Sequence, residues 1–207
     1  MLAHQGKILF PNDVEVLEIV PQHRYVYPIF KNGSSSLHKS NYRTVSMQEL
    51  KNLTNIEVFV RNPHNRFLSG VQTYIRNLGP KYDSQTVLNL VSQNLYLNRH
   101  FCPQLYWILN LSRFTSATLT IRPFEELSLI TEHTINQSIP DPKIAEFFNK
   151  NSKVLFYNEM DEVLTVNLLG KTVTVEEILL TLKENYTELY NDIFKTAKEI
   201  LNVLPKT

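Results

Sequence analysis

Cysteine occurs once in this 207-residue chain, at Cys102, which excludes an internal disulfide and any zinc site built from several cysteines. Charge of either sign is not in excess. The formal net charge is +1, so no global field recruits nucleic acid or an anionic membrane, and any positive potential has to be local. No apolar run approaches the length of a membrane span, and the opening Met-Leu-Ala-His-Gln-Gly-Lys is not a basic segment followed by an apolar one. These absences predict a soluble, cytoplasmic protein with no transmembrane segment and no nucleic-acid partner. Repeats and Pro- or Gly-rich linkers are missing, and the length suits one domain spanning residues 1–207. With 43% hydrophobic and 20% charged residues the chain has enough apolar material for a core, which excludes a disordered polymer.

The pattern G-x-x-x-x-G-K-[ST] is also absent, so an ATP or GTP loop of the ordinary kind is not expected. A different anion loop is present. Tyr25-Val26-Tyr27-Pro28-Ile29-Phe30 reads as a strand that runs into Lys31-Asn32-Gly33-Ser34-Ser35-Ser36-Leu37. In a strand–loop–helix unit Gly33 lets the backbone turn close to a ligand, and the N–H groups of Ser34 to Leu37 are the unpaired donors of a first helical turn. Lys31 adds a mobile positive charge at the mouth. The competing reading is a solvated turn in which Ser34 merely caps a helix. A sequon, Asn32-Gly33-Ser34, falls inside the loop, where a glycan would block a ligand.

A second such unit follows. Ile56-Glu57-Val58-Phe59-Val60-Arg61 reads as a buried strand, and Asn62-Pro63-His64-Asn65-Arg66-Phe67-Leu68-Ser69-Gly70 turns into a helix with Pro63 near its first position. The strand–helix–strand–helix order with a right-handed crossover makes the two strands parallel and puts both loops at one sheet edge. Arg61 at the strand end and Ser69 about two helical turns on can then share a crevice and hold a second phosphate.

The pairing of Lys-x-Gly-Ser-x-Ser with Val-Arg-Asn-Pro-x-x-Arg-Phe-x-Ser resembles the cytosolic and Golgi sulfotransferases. The resemblance implies a P-loop-like three-layer α/β fold, with a central, mainly parallel sheet flanked by helices. It also implies a donor, 3′-phosphoadenosine 5′-phosphosulfate (PAPS), that leaves as adenosine 3′,5′-bisphosphate (PAP). Residues Lys31 to Leu37 would hold the 5′-phosphosulfate, and Arg61 and Ser69 the 3′-phosphate. His100-Phe101-Cys102-Pro103-Gln104 is similar to the His-Trp-x-Pro-Gln segment of carbohydrate sulfotransferases, with Phe in place of Trp, which makes His100 a candidate base for the acceptor. His38, directly after the first loop, and His64, in the second, compete for that role. Glu49, in the capping box Ser46-Met47-Gln48-Glu49, and Glu57, within a strand, are read as structural. Lys31, His100 and His38 are the catalytic candidates. A sulfuryl group carries less charge than a phosphoryl group, so no metal is called for. The acceptor is expected to be a glycan or another small molecule with a hydroxyl or amine. The alternative is a non-catalytic or kinase-like nucleotide-binding protein that uses the same cradle.

The remaining segments are read as scaffold. Lys7–Phe10 and Val14–Val20 flank the turn Pro11-Asn12-Asp13 as a hairpin or edge strands, and His4 and His23 are exposed. His38–Tyr42 completes the first helix. The second runs from Pro63 to Asn77 and stops at Gly79-Pro80, and a third spans Ser84–Leu97. Ala117–Arg122 is a third strand, leading into Arg122-Pro123-Phe124-Glu125-Glu126-Leu127, where Arg122 is either a cleft charge or a paired arginine. Short elements are expected at Pro142–Asn149 and Lys153–Tyr157, and Asn158–Lys171 is left ambiguous. Thr174-Val175-Glu176-Glu177 opens a helix to about Asn185. A last helix reaches Val203, and its Tyr190-Asn191-Asp192-Ile193-Phe194 is similar to the terminal segment of carbohydrate sulfotransferases.

Overall fold

The computed structural model describes residues 14–78, 83–93, 98–131, 141–149, 159, 161–188 and 190–191. Six strands, β1 (Leu17–Ile19), β2 (Arg24–Tyr27), β3 (Tyr42–Thr44), β4 (Asn55–Val60), β5 (Thr118–Pro123) and β6 (Thr172–Val173), form one mixed sheet in the order β3-β1-β2-β4-β5-β6. β2 pairs parallel with β4 and β4 with β5, whereas β1 lies antiparallel to both its neighbours and β6 antiparallel to β5. Strands β3, β2, β4 and β5 therefore all run one way, and parallel neighbours occur only at the centre. The segment 14–20 does supply a strand beside the main sheet, turned into β2 by a 3₁₀ turn at Val20–Gln22 and by His23 at φ 48°.

Helices α1 (Ser34–Leu37), α2 (Met47–Leu50), α3 (Pro63–Leu78), α4 (Ser84–Gln93), α5 (Gln104–Leu111), α6 (Ser128–Thr131) and α7 (Pro142–Asn149) lie between the strands, and α8 (Val175–Asn185) follows β6. Both expected capping boxes form: Ser46 with Glu49 starts α2, and Thr174 with Glu177 starts α8. The tract left ambiguous becomes a π-helical turn at Val163–Asn167.

Alternation along the strands divides the core between the two sheet faces. Tyr27, Ile56, Val58, Val60, Leu119 and Ile121 face one way and pack with Leu105, Ile108 and Leu111 of α5 and Ile178 and Leu182 of α8. On the opposite face Leu17, Ile19, Val26 and Phe59 meet Leu37 of α1, Phe124, Leu127 and Ile130. A separate cluster joins Phe67, Leu68 and Val71 of α3 to Val87, Val91, Phe101 and Phe148.

The helix expected across His38–Tyr42 does not form, because α1 ends at Leu37 and Tyr42–Thr44 becomes β3 against β1. The hydroxyl of Ser40 donates to the carbonyls of Ser36 and Thr131, which gives the backbone an alternative to another helical turn. The β-branched and aromatic Tyr-Arg-Thr stretch then completes the sheet edge. The expected elements at 7–13, 79–80, 94–97 and 153–157, and the last helix beyond residue 191, lie outside the described residues. Among the described residues no helix is long and apolar enough to cross a membrane.

The chain leaves β2 through α1 toward β3 on one side, and leaves β4 through α3, α4 and α5 toward β5 on the other. Neighbouring parallel strands whose exits diverge open a crevice beyond their carboxyl ends. Lys31 and Arg61 sit in the two loops at that opening.

Candidate functional site

The loop after β2 is tightly wound. Ile29 N–H donates to the Tyr27 carbonyl and Asn32 N–H to the Ile29 carbonyl, each at 3.0 Å, while Lys31 and Gly33 adopt left-handed φ of 71° and 78°. Only glycine takes this conformation without strain, so Lys31 is held there by its surroundings. Alternation of left-handed residues turns successive amides inward, the arrangement that binds anions. Fewer donors are free than the sequence suggests, because Ser36 N–H and Leu37 N–H both donate to the Gly33 carbonyl, at 2.8 and 3.1 Å. Those of Ser34 and Ser35 have no partner among the described residues. Gly33 also has a packing reason to be glycine: a Cβ there would overlap Leu127 and press on Phe124. The side of Gly33 expected to face a ligand is thus partly filled by protein.

A buried glutamine ties this loop to the one after β4. The Oε1 atom of Gln104, fully buried at the start of α5, accepts from Asn32 Nδ2 at 2.5 Å and from Arg61 N–H at 2.8 Å, and its Nε2 donates to the Arg61 carbonyl at 2.8 Å. Asn32 Nδ2 also donates to the Phe59 carbonyl at 2.8 Å, so its side chain belongs to this latch and not to an open ligand surface. Asp161 accepts from the N–H groups of Gln104 and Leu105, at 2.8 and 2.9 Å, and so supplies the cap that Pro103 cannot. Burial pushes the Asp161 carboxyl up, opposed by the nearby charge of Arg66. Arg66, itself buried, donates to the Cys102 carbonyl at 2.5 Å. Burial also raises the Cys102 thiol to about 11, so it is not a poised nucleophile.

Lys31 is less mobile than the sequence suggests. Its Nζ donates to Thr73 Oγ1 at 2.5 Å, and that hydroxyl donates in turn to the Ser69 carbonyl at 3.1 Å. The relay links the first loop to the backbone of Ser69, on α3. Arg61 is buried, with its guanidinium 5.3 Å from the Phe124 ring centre and its Nε without a hydrogen-bond partner. Burial, then the charges of Arg76, Arg61 and Arg66, pull the Lys31 pKa down; burial and Arg66 do the same to Arg61, against Glu125. Among the described residues none of Lys31, Arg61, Arg66, Arg76 and Arg99 forms a salt bridge. The sheet arginines, by contrast, are matched: Arg24 with Glu57, Arg43 with Glu18 and Glu49, and Arg122 with Glu57 and Glu126. Arg122 is therefore a paired arginine, and Glu57 and Glu49 are structural as expected.

His100 borders the same group of cations. Its ring lies edge-on to Phe30 at 5.1 Å, and the Phe30 ring also meets Lys31 Nζ at 5.7 Å and the Arg99 guanidinium at 5.0 Å. Asn98 Oδ1 accepts from His100 N–H at 2.9 Å and lies 2.9 Å from His100 Nδ1. The backbone donor identifies that Asn98 atom as oxygen, so Nδ1 carries the proton and Nε2 is the basic nitrogen. Burial, Lys31 and Arg99 lower the imidazole to about 4, which keeps it neutral at pH 7. The backbone of this turn lies directly on Gly70, where a Cβ would collide with the His100 carbonyl.

The other histidines have different neighbours. His38 ends α1, exposed, 3.4 Å from a Glu15 carboxylate oxygen and edge-on to Tyr42. His64, on the first turn of α3, has its pKa lowered by burial. Of the candidate residues, the fold brings Lys31, the Ser34 and Ser35 amides, Arg61 and Ser69 toward the crevice with His100 beside Phe30, while Asn32 is held in the latch, Leu37 packs into the core and His38 pairs with Glu15. Sequence reading passed over Gln104, Arg66, Thr73 and Asp161. Gln104 stood in the quoted His-Phe-Cys-Pro-Gln segment, where attention went to the titratable residue, and Asp161 carries no local signal because its partners lie over fifty residues away.

In comparisons with protein-family models, curated proteins and solved structures, nothing matches this chain.

Proposed function

We propose that the protein is a PAPS-dependent sulfotransferase with a P-loop-like fold, acting on a hydroxyl or amine of a carbohydrate or other small acceptor. The observation that carries the reading is the double tie between the two cationic loops at the diverging exits of β2 and β4. Gln104 joins Asn32 to Arg61, and Thr73 joins Lys31 to Ser69. Two anion-binding loops held at a fixed mutual distance suit one ligand with phosphates at both ends, which is the shape of the bisphosphate donor. Lys31 and Arg61, which form no salt bridge among the described residues, and the amides of Ser34 and Ser35, which have no partner there, supply what its phosphates need.

In this mechanism His100 Nε2 takes the proton from the acceptor hydroxyl as its oxygen attacks sulfur in line. The bond from sulfur to the bridging oxygen of the 5′-phosphate breaks, and that oxygen departs with PAP. Lys31 Nζ stabilises the charge developing on the bridging oxygen, leaving Thr73 to do so. Arg61 and Ser69 hold the 3′-phosphate, so their part is binding and orientation. His38, paired with Glu15, has no step in this scheme.

Thermal shift separates this donor from others. PAP at saturation should raise Tm well above the shift given by ATP or AMP, since only PAP has a 3′-phosphate for Arg61 and Ser69. Equal shifts from all three would favour the non-catalytic or kinase-like reading. With radiolabelled donor, Lys31→Ala should abolish transfer while PAP still binds, and an unchanged transfer rate would remove Lys31 from the chemistry.

A further inference from the structure

We propose that the cavity at the amino ends of β4 and β5 is a second ligand site, which takes a small monoanion with an apolar body. The cavity holds about 540 Å³, within the range of small-molecule sites. Residues 112–117, which line it, lead from the end of α5 into the start of β5, whereas the crevice opens beyond the carboxyl end of β4. The two parallel strands have six residues each, so at roughly 3.3 Å per residue about 20 Å of sheet separates the two places. Lys51 at the end of α2 and the first turns of α8 complete the walls.

The chemistry of the lining selects the ligand. Phe114, Ala117, Val175 and Leu179 supply apolar surface. The hydroxyls beside them serve the backbone: Ser112 Oγ donates to the Leu109 carbonyl at 2.8 Å, Thr115 Oγ1 accepts from Ala117 N–H at 3.1 Å, and Thr174 Oγ1 accepts from Glu177 N–H at 3.1 Å. A ligand rich in hydroxyls would bury polar groups against apolar walls, which is costly, so an apolar body fits better. Charge comes from Lys51 and Arg113, both exposed, against Glu176. Neutral groups brace Arg113: its Nη1 donates to Asn110 Oδ1 at 3.2 Å, and its guanidinium lies 5.4 Å from the Phe114 ring centre. A cation fixed beside an aromatic ring suits an acid whose apolar part packs on that ring while its head meets the guanidinium. Two positive side chains against one carboxylate favour a single negative charge on the ligand.

Titration calorimetry of the full chain with naphthaleneacetate, its neutral analogue naphthaleneacetamide and plain acetate separates the two requirements. Naphthaleneacetate should bind, the amide should bind about tenfold weaker, and acetate should give no detectable binding at the same concentration. Lys51→Gln and Arg113→Gln change exposed side chains and leave the fold intact, and each should weaken the acid about threefold to fivefold, as loss of one exposed ion pair does. Glu176→Gln should strengthen it about twofold. Leu179→Trp fills apolar space and should abolish binding; if its Tm shows a damaged fold, the exposed charge variants carry the test. Lys31→Ala, at the crevice, should bind the acid like wild type. Equal binding of acid and amide, acetate as tight as naphthaleneacetate, no loss in either cation variant, weaker binding in Glu176→Gln, or a loss in Lys31→Ala would each overturn the proposal.

Discussion

Replacing Gln104 by methionine tests the latch that holds the two loops together. Methionine keeps the volume and loses all three side-chain hydrogen bonds, so packing and polar terms are separated. Asn32 Nδ2 keeps the Phe59 carbonyl and is not orphaned. The Arg61 N–H and carbonyl lose the partner shown for each of them, and Arg61 is 6% exposed, so water reaches them only if the loop opens. At roughly 1–3 kcal/mol for each buried polar group left unpaired, with some recovery by loop opening, Gln104→Met should cost about 2–4 kcal/mol. That is a large share of a total stability on the order of 5–15 kcal/mol. Urea unfolding measures it directly, with the m-value as a check that the denatured state is unchanged. A double-mutant cycle with Asn32→Ala should give a coupling of at least about 0.5 kcal/mol, because both side chains share one hydrogen bond. A loss within about 0.5 kcal/mol of wild type for Gln104→Met, or strict additivity with Asn32→Ala, would refute the latch. On the sulfotransfer reading the variant should also bind PAP more weakly under conditions where it is fully folded.

Gly70→Ala tests the contact between α3 and the His100 turn through the sign of its effect. An open helical site would gain up to about 1 kcal/mol from alanine, whereas collision with the His100 carbonyl should instead cost about 1–3 kcal/mol, and a gain in thermal or urea stability would refute the close approach. His100 should titrate at about 4 by NMR of its ring protons. Because its folded pKa lies below the unfolded value of about 6.5, its contribution to stability is complete above that value and is lost as pH falls through about 4. The stability advantage of wild type over His100→Gln should shrink across that window, and a measured pKa near 6.5 would show that neither burial nor the charges of Lys31 and Arg99 act on it.

The central frame was legible because it depends on local signals. Alternating β-branched residues marked β4 and β5, Pro63 marked the start of α3, and two capping boxes marked α2 and α8; the parallel pairing of β2 with β4 followed from handedness. β3 was missed because three residues are too few for a period, and Tyr42–Thr44 is a strand only because β1 offers it an edge. The candidate site was legible in its ends and not in its middle. Lys31 and Arg61 announce themselves by charge at strand ends, whereas Gln104, Asp161 and Thr73 act across separations of forty residues or more. The expected open cradle was overstated for the same reason, since nothing local shows Leu127 against Gly33.

The distribution of charge connects the frame to the chemistry. A fold selected only for stability would place a carboxylate beside Lys31, as it does beside Arg24 and Arg43; among the described residues Lys31 forms no salt bridge, and burial, then repulsion from Arg76, Arg61 and Arg66, lowers its pKa. That repulsion is relieved when an anion arrives. On the sulfotransfer reading, donor binding offsets the field of Lys31 that helps to hold His100 near 4, so the imidazole becomes a stronger base only when the donor is in place. Before then it stays neutral, with Nδ1–H fixed on Asn98 and Nε2 open to a proton. The same unmatched cations would thus both recruit the donor and time the activation of the acceptor, and the second effect requires no movement of the chain.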